Sequence, residues 1–375
     1  YFTFFCIPEV QREGSKRQKR FVAYLREIGF TPYAGRVVEV GAMAELRWHP
    51  LTKDWVMVAS HRQNRPQMPR DWCPFCPGSG KVPEHYDVFR YDNDFPALSD
   101  NPPKPDDVSN EFFRVQEAYG KCEVILYSPE HNTTLPQLPV PHIRKLVDLW
   151  CERHAAMAAD KRIKYVFIFE NRGEVVGVTM PHPHGQIYGY PFIPKKLELE
   201  LASSKEYMEE RGCCLFCDML RYERADGRRV IFENRHFTVF LPFFTEYPYG
   251  VYIMSREHRG SIADLTGDEK DSLAWVLKNT TGTLDALFGM PFPYMMCMHS
   301  APVNSGPAPH FHFHIEIFPP MRSAEKQKFN ASSETGAWAH CNPTAPEEKA
   351  VELREAYARF AGVIHPNRRR AHECF

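Results

Sequence analysis

Pro181-His182-Pro183-His184-Gly185-Gln186-Ile187 is the stretch on which the fold turns, and it follows Phe167-Ile168-Phe169-Glu170-Asn171-Arg172-Gly173 after a short connection. An apolar run ends at a Glu-Asn-Arg-Gly turn, and two imidazoles then appear one residue apart. Residues i and i+2 of an extended strand share a face. The two prolines keep the segment extended, since each fixes its own φ and pushes its predecessor away from helix. His182 and His184 therefore project together, Gln186 is next on that face, and Gly185 permits close approach of a backbone or ligand. A lone His-x-His is an ordinary surface feature. The flanking Asn, Gly and Gln, and the ligand-type residues elsewhere, point instead to a site.

Glu170, Asn171 and Gly173, then His182 to Gln186, resemble the active-site motif of the galactose-1-phosphate uridylyltransferase family, the transferase branch of the histidine-triad superfamily. The core motif matches without departure, and the resemblance runs from Leu46 nearly to the end. It implies an α+β fold: two tandem histidine-triad-like repeats with joined antiparallel sheets and flanking helices. The expected organisation is an N-terminal extension of unknown role over 1–42, a catalytic repeat over 43–200 and a structural repeat over 201–375.

Composition agrees with a globular enzyme. A chain of 375 residues is long enough for two domains or one duplicated domain. Its 46 basic and 47 acidic residues exclude nucleic-acid binding by bulk charge. No run approaches the roughly 18 apolar residues of a membrane span. Residues 1–7 are apolar but lack a basic n-region, so no signal peptide is expected. The expectation is a cytoplasmic protein. Eleven cysteines, four of them in two Cys-x-x-Cys pairs, then favour metal binding over disulfides.

Along the chain, residues 55–59 read as a strand, and Arg62 and Arg65 follow at the spacing of two family arginines near the nucleotide phosphates. A guanidinium fork suits phosphate oxygens. The segment 91–98 matches a family stretch whose Asn, here Asn93, lies near the uridine and ribose. Strands over 122–127 and 165–169 flank a helix whose apolar stripe includes Ile143, Leu146, Val147, Trp150 and Met157. His154 lies on that stripe, as a core residue. The second half repeats this outline. Cys214-Leu215-Phe216-Cys217 echoes Cys73-Pro74-Phe75-Cys76, strands over 237–243 and 250–254 lead to Ser255-Arg256-Glu257-His258, and a helix over 269–287 and a strand over 294–298 follow. The separation of His131 from His182 nearly equals that of His258 from His310, as internal duplication predicts. A C-terminal helix is expected over 346–361.

A Cys-x-x-Cys turn can place two thiolates on one tetrahedral metal. The resemblance completes a first zinc site with Cys73, Cys76, His131 and His182. The repeat suggests a second with Cys214, Cys217, His258 and His310, for a second zinc or an iron. A weaker alternative, drawn from family members without the second Cys pair, is Glu200 with His299 and His314, with Glu316 standing where the family has its last histidine. In the second copy His314 takes the position of Gln186, so that copy is expected to be structural.

The implied reaction is transfer of UMP from UDP-glucose to galactose 1-phosphate. His184 is the nucleophile, and Gln186 holds phosphoryl oxygens where hydrolytic relatives carry a third histidine. Asn171, Gly177 and Thr179 border the α-phosphate. Lys328 suits the phosphate and Glu334 the sugar hydroxyls of the hexose phosphate across the interface of a homodimer, and Ser333 replaces the family tyrosine there. An ADP-glucose or dinucleoside-polyphosphate phosphorylase keeps the Gln and is the alternative. A zinc-binding scaffold explains both Cys pairs but leaves the two motif segments unexplained.

Overall fold

Alternation of apolar side chains lays down the strands, and the computed structural model describes them over residues 44–64 and 72–362. The expected extension over 1–42 and Arg65 lie outside those residues. In chain order the first half contributes β1 (Ala44–His49), β2 (Asp54–Ala59), β3 (Phe89–Asp92), β4 (Val115–Glu117), β5 (Lys121–Leu126), helix α1 (Val140–Ala158), β6 (Tyr165–Arg172) and β7 (His184–Tyr190). The second half contributes α2 (Lys195–Arg211), α3 (Leu215–Asp226), β8 (Val230–Glu233), β9 (Phe237–Phe240), β10 (Val251–Ser255), α4 (Gly267–Phe288), β11 (Tyr294–His299), β12 (His314–Phe318), α5 (Ser332–Ala337) and α6 (Pro346–Phe360).

The main sheet is antiparallel and nine-stranded, in the order β3-β5-β7-β6-β11-β12-β10-β9-β8. Its middle is the pairing of β6 with β11, Glu170 opposite Met296. On either side the order is mirrored: β6-β7-β5-β3 in one direction, β11-β12-β10-β9 in the other. This is the joined, duplicated α+β sheet that the resemblance implies. A small sheet, β2-β1-β4, lies in the first half.

One face of the main sheet is covered by helices. On β7, Ile187 points to that face and packs in a core with Trp150, Leu146 and Val147 of α1 and Leu273 and Leu277 of α4. His154 is buried there too, as its place on the stripe implies. Burying each such apolar side chain stabilises the fold by about 1.5–3 kcal/mol. Helix α4 begins at a capping box: Thr266 Oγ1 accepts from the Glu269 amide at 3.3 Å and Glu269 Oε2 accepts from the Thr266 amide at 2.8 Å. Gly282 sits mid-helix because a Cβ there would meet the Phe360 ring at 2.2 Å, so close packing of α6 offsets the helix-propensity loss of about 1 kcal/mol. The opposite face carries His184, Gln186, Tyr188 and Tyr190.

Three helices were not legible in the sequence, α2, α3 and the single short turn-and-a-half of α5. Helix α2 buries only Leu197 and Ser204, so its apolar pattern is faint. Helix α3 begins inside the second Cys pair, with Cys214 as its N-cap, whereas the first pair lies in turns.

Candidate active site and metal-binding clusters

Strand β7 opens at His184, and the first hydrogen bond of that residue determines its chemistry. Its Nδ1 lies 2.7 Å from the His182 carbonyl oxygen. A carbonyl only accepts, so Nδ1 carries the proton and the basic lone pair of the neutral ring is on Nε2. The ring of Phe75 lies 5.6 Å from that of His184. Gln186 faces the same side, its Oε1 accepting from the Tyr188 hydroxyl at 3.1 Å.

His182 reaches the first cysteine pair, with Phe75 packed against its ring as against that of His184. Its Nε2–H donates to the Ser128 carbonyl at 2.8 Å, which turns the Nδ1 lone pair toward Cys73 Sγ at 3.7 Å and Cys76 Sγ at 3.6 Å. Cys76 Sγ is 3.4 Å from His131 Nδ1. Tetrahedral zinc with ordinary Zn–N and Zn–S lengths separates its ligands by about 3.3–3.8 Å, so this set fits the ion. Burial, opposed by the Ser128 carbonyl and aided by His131 and His184, pushes the His182 pKa down to about 4, which keeps it a neutral ligand at pH 7. Burial and then the adjacent Cys73 push the Cys76 thiol up to about 11. Two neighbouring thiolates need a cation.

The second cysteine set corrects the sequence reading. Cys214, Cys217, His258 and His312 converge, with Cys217 Sγ 3.3 Å from both His258 Nδ1 and His312 Nδ1. His310 is not in the cluster, and only its carbonyl oxygen meets the Cys214 thiol, at 3.4 Å. The register explains this. β7 opens at His184 and β12 at His314, so the counterpart of His182 is His312, and the loop before β12 holds the extra residues. Further bonds repeat in kind: His314 Nδ1 donates to the His312 carbonyl at 2.9 Å, and His312 Nε2 meets Ser255 Oγ at 2.8 Å. It follows that His314 is the counterpart of His184 and Glu316, not His314, that of Gln186.

The third set brings Glu200, His299 and His314 together with Glu316. Glu200 Oε2 is 2.9 Å from His299 Nδ1, and Glu316 lies 3.6 Å from both His299 and His314. Lys196 and the Tyr252 hydroxyl also bond Glu316. Burial alone would raise Glu316, but His299, His314 and Lys196 hold it well below the usual carboxylate range. Two imidazoles and two carboxylates suit zinc or iron. The cysteine set and the carboxylate set use different side chains, so both can be held at once.

Other expected residues are placed as follows. Asn171 lines a cavity of about 230 Å³ with His182 and His184. Gly177 turns the connection above it with φ 81°. Thr179 Oγ1 is buried with no hydrogen-bond partner among the described residues, an unspent donor beside the motif. Arg62 donates to the Phe95 carbonyl at 3.0 Å, and Asn93 Oδ1 accepts from the Phe95 amide at 2.9 Å. These two residues therefore brace one turn. Lys328 Nζ and Glu334 Oε1 pair at 3.4 Å, and neither lines the His184 cavity.

The sequence reading missed the prop behind His184. Glu170, on the helix-covered face, accepts from Tyr127 Oη at 3.2 Å and Tyr294 Oη at 3.0 Å. Burial raises its pKa to about 7, against Arg172 and the two tyrosines. A Cβ on Gly185 would lie 2.3 Å from the Tyr127 hydroxyl. The motif glycine thus lets this tyrosine pass under the strand that carries His184.

Comparison with known proteins agrees with this geometry. The family model for the galactose-1-phosphate uridyl transferase N-terminal domain matches residues 37–194, and that for the C-terminal domain matches 200–356. The chain is similar to a galactose-1-phosphate uridylyltransferase of Thermotoga maritima, 42% identical over 315 residues covering 84% of this chain and 98% of the relative. A solved uridylyltransferase structure aligns with TM-score 0.78 and 32% identity, covering 84% of this chain and 99% of that one. An ADP-glucose phosphorylase from Arabidopsis thaliana, solved with bound ADP-glucose, aligns with TM-score 0.63 and 26% identity, covering 83% and 99%.

Proposed function

The chain belongs to the galactose-1-phosphate uridylyltransferase family, and from that premise we propose that it transfers UMP from UDP-glucose to galactose 1-phosphate through a uridylyl group carried on His184. The supporting observation is the tautomer of His184. With Nδ1–H committed to the His182 carbonyl, Nε2 is the nitrogen that attacks the α-phosphorus. A P–N bond forms, and the bond from phosphorus to the oxygen of glucose 1-phosphate breaks. As the ring becomes cationic, the Nδ1–H bond to the carbonyl strengthens. Galactose 1-phosphate then attacks the same phosphorus, restoring the neutral ring and releasing UDP-galactose.

The leaving group in each step is a sugar phosphate, so no strong acid is needed and an amide suffices at Gln186. It holds phosphoryl oxygens without exchanging a proton at neutral pH. Thr179 and Asn171 supply further donors where charge builds on the α-phosphate. Cys73, Cys76, His131 and His182 would hold a zinc, which would supply a structural tie between their loops. His182 thereby links that tie to the nucleophile, because its carbonyl orients His184. Glu200, His299, His314 and Glu316 would hold a further zinc or iron, and the Cys214 set another zinc.

In a cytoplasmic homodimer, Lys328 meets the phosphate and Glu334 the sugar hydroxyls of the hexose phosphate bound at the partner's site. Their place outside the His184 cavity supports this reading. Among the described residues no helix is long and apolar enough to cross a membrane. Isotope exchange tests the reaction. Labelled glucose 1-phosphate is expected to enter UDP-glucose without galactose 1-phosphate, as a two-step mechanism requires. Exchange confined to ADP-glucose would replace the reading with the phosphorylase one, which the Arabidopsis likeness favours.

A further inference from the structure

Helix α2 opens on two lysines, Lys195 and Lys196. A cation in the first turn has the wrong sign for the helix dipole, whose N-terminal end is positive, so each lysine needs a local reason to be there. Lys195 has one in Glu198, at 2.9 Å on the same helix. The reason for Lys196 lies across the fold. Its Nζ donates to Glu316 Oε2, and Glu200 Oε1, one turn along α2, is 3.8 Å away. Lys196 therefore reaches both carboxylates of the set made by Glu200, His299, His314 and Glu316.

Those carboxylates need a counter-charge. The Glu316 side chain is 1% exposed, and besides Lys196 it meets the Tyr252 hydroxyl and the rings of His299 and His314. Glu200, 18% exposed, faces the same two rings. An imidazole that ligates a metal does so unprotonated, which leaves Lys196 as the fixed positive charge beside the pair. A divalent metal on two carboxylates and two neutral imidazoles is already balanced. With the ammonium still on Glu316, the cluster would carry one positive charge too many beside the apolar walls of Phe216, Ile317 and Phe318, where unbalanced charge is costly.

The way out is open. Lys196 walls a cavity of about 470 Å³ that Glu200, His314 and Glu316 also line. Its side chain is 53% exposed, and its Nζ lies 4.9 Å from the centre of the Phe318 ring, a surface along which the stem can slide. Glu246 walls the same cavity and is 38% exposed, with His340 as its present partner at 3.3 Å. It offers the departing ammonium a carboxylate nearer water.

We infer that Lys196 is the built-in competitor of the metal at this set: its ammonium neutralises Glu316 and Glu200 before a metal enters, and it leaves Glu316 for the cavity when a divalent ion takes its place. The inference rests on the reading that these four side chains hold a metal. Its consequence is quantitative. Metal affinity is reduced by the fraction of chains in which Lys196 is already out, so removing the ammonium tightens binding.

The test is titration of the full chain, its cysteine sets supplied with zinc, with Mn(II), an ion suited to carboxylates rather than thiolates. Free Mn(II) is counted by electron paramagnetic resonance, and Glu200→Gln serves as the blank. Lys196→Gln is expected to bind Mn(II) about tenfold tighter or more than wild type, and Lys196→Arg, which keeps the charge, about as wild type does. Lys196→Met, as a second neutral variant, is expected to act like Lys196→Gln. Thermal midpoints separate this from a merely structural ion pair: Lys196→Gln is expected to lower the midpoint without Mn(II) and to lower it less with saturating Mn(II). Equal or weaker affinity in both neutral variants, or an equal drop in midpoint with and without Mn(II), overturns the inference. The two readings fail separately. Glu200-sensitive Mn(II) binding that ignores residue 196 removes the competitor and keeps the metal set, whereas no Glu200-sensitive binding in wild type or in either neutral variant removes both.

Discussion

At the scale of single residues, the orientation of His184 comes from one carbonyl and one missing methyl group. The His182 carbonyl fixes which nitrogen is basic, and the absent Cβ at Gly185 lets the Tyr127 hydroxyl reach Glu170 beneath the strand. Adding that methyl group forces either the tyrosine or the strand to move. Gly185→Ala is therefore expected to lower kcat by about tenfold to a hundredfold with a smaller change in KM, as a misplaced nucleophile should. Tyr127→Phe in the same chain removes the nearest clashing atom and is expected to recover part of the loss. Steady-state kinetics of the single and double variants check this. Equal kcat for Gly185→Ala and wild type would show that the prop does not position the site.

At the scale of elements, the strongly periodic pieces were legible and the register was not. The apolar stripe of residues 143–157 appears as α1, and the stripe near 273–284 as α4. The first Cys-x-x-Cys, His131 and His182 converge because β5 and β7 are hydrogen-bonded neighbours, and the loop after β5 holds His131 beside the loop before β7 that holds His182. Counting residues misled in the second copy. His310, His312 and His314 alternate identically, so only the strand pairing shows that His314 opens β12 and that His312 joins the cysteines. The chain from 195 to 226 was unreadable because α2 turns mostly charged side chains outward. Helix α1 also carries a pH prediction. Burial holds His154 down to about 4 from 6.5, with Asp264 opposing weakly. The unfolded chain binds its proton first, so stability present above pH 6.5 is lost as pH falls from there toward 4, by about 3 kcal/mol. Denaturant titrations at pH 7 and pH 4.5 should show a smaller acid-induced loss for His154→Met than for wild type. An equal loss would assign it to other groups.

At the scale of the whole molecule, the joined sheet ties the candidate metal-binding clusters and the strand that carries His184 together. Cys76→Ser is expected to remove about one zinc per chain by elemental analysis, to lower the thermal midpoint, and to abolish turnover through His182. Unchanged metal content would show that this set holds none. The dimer claim predicts complementation. His184→Ala and Lys328→Ala chains, each inactive alone, should regain activity when mixed and allowed to exchange, because one mixed site receives both intact residues. No recovery, with exchange verified by mass, would place Lys328 outside the partner's site. The central claim is the covalent uridylyl group on His184. The direct measurement is the intact mass of the metal-loaded protein after incubation with UDP-glucose alone. An acid-labile gain equal to UMP, discharged by galactose 1-phosphate and absent in His184→Ala, is the expected result. No mass gain from UDP-glucose, or an equal gain in His184→Ala, would contradict it.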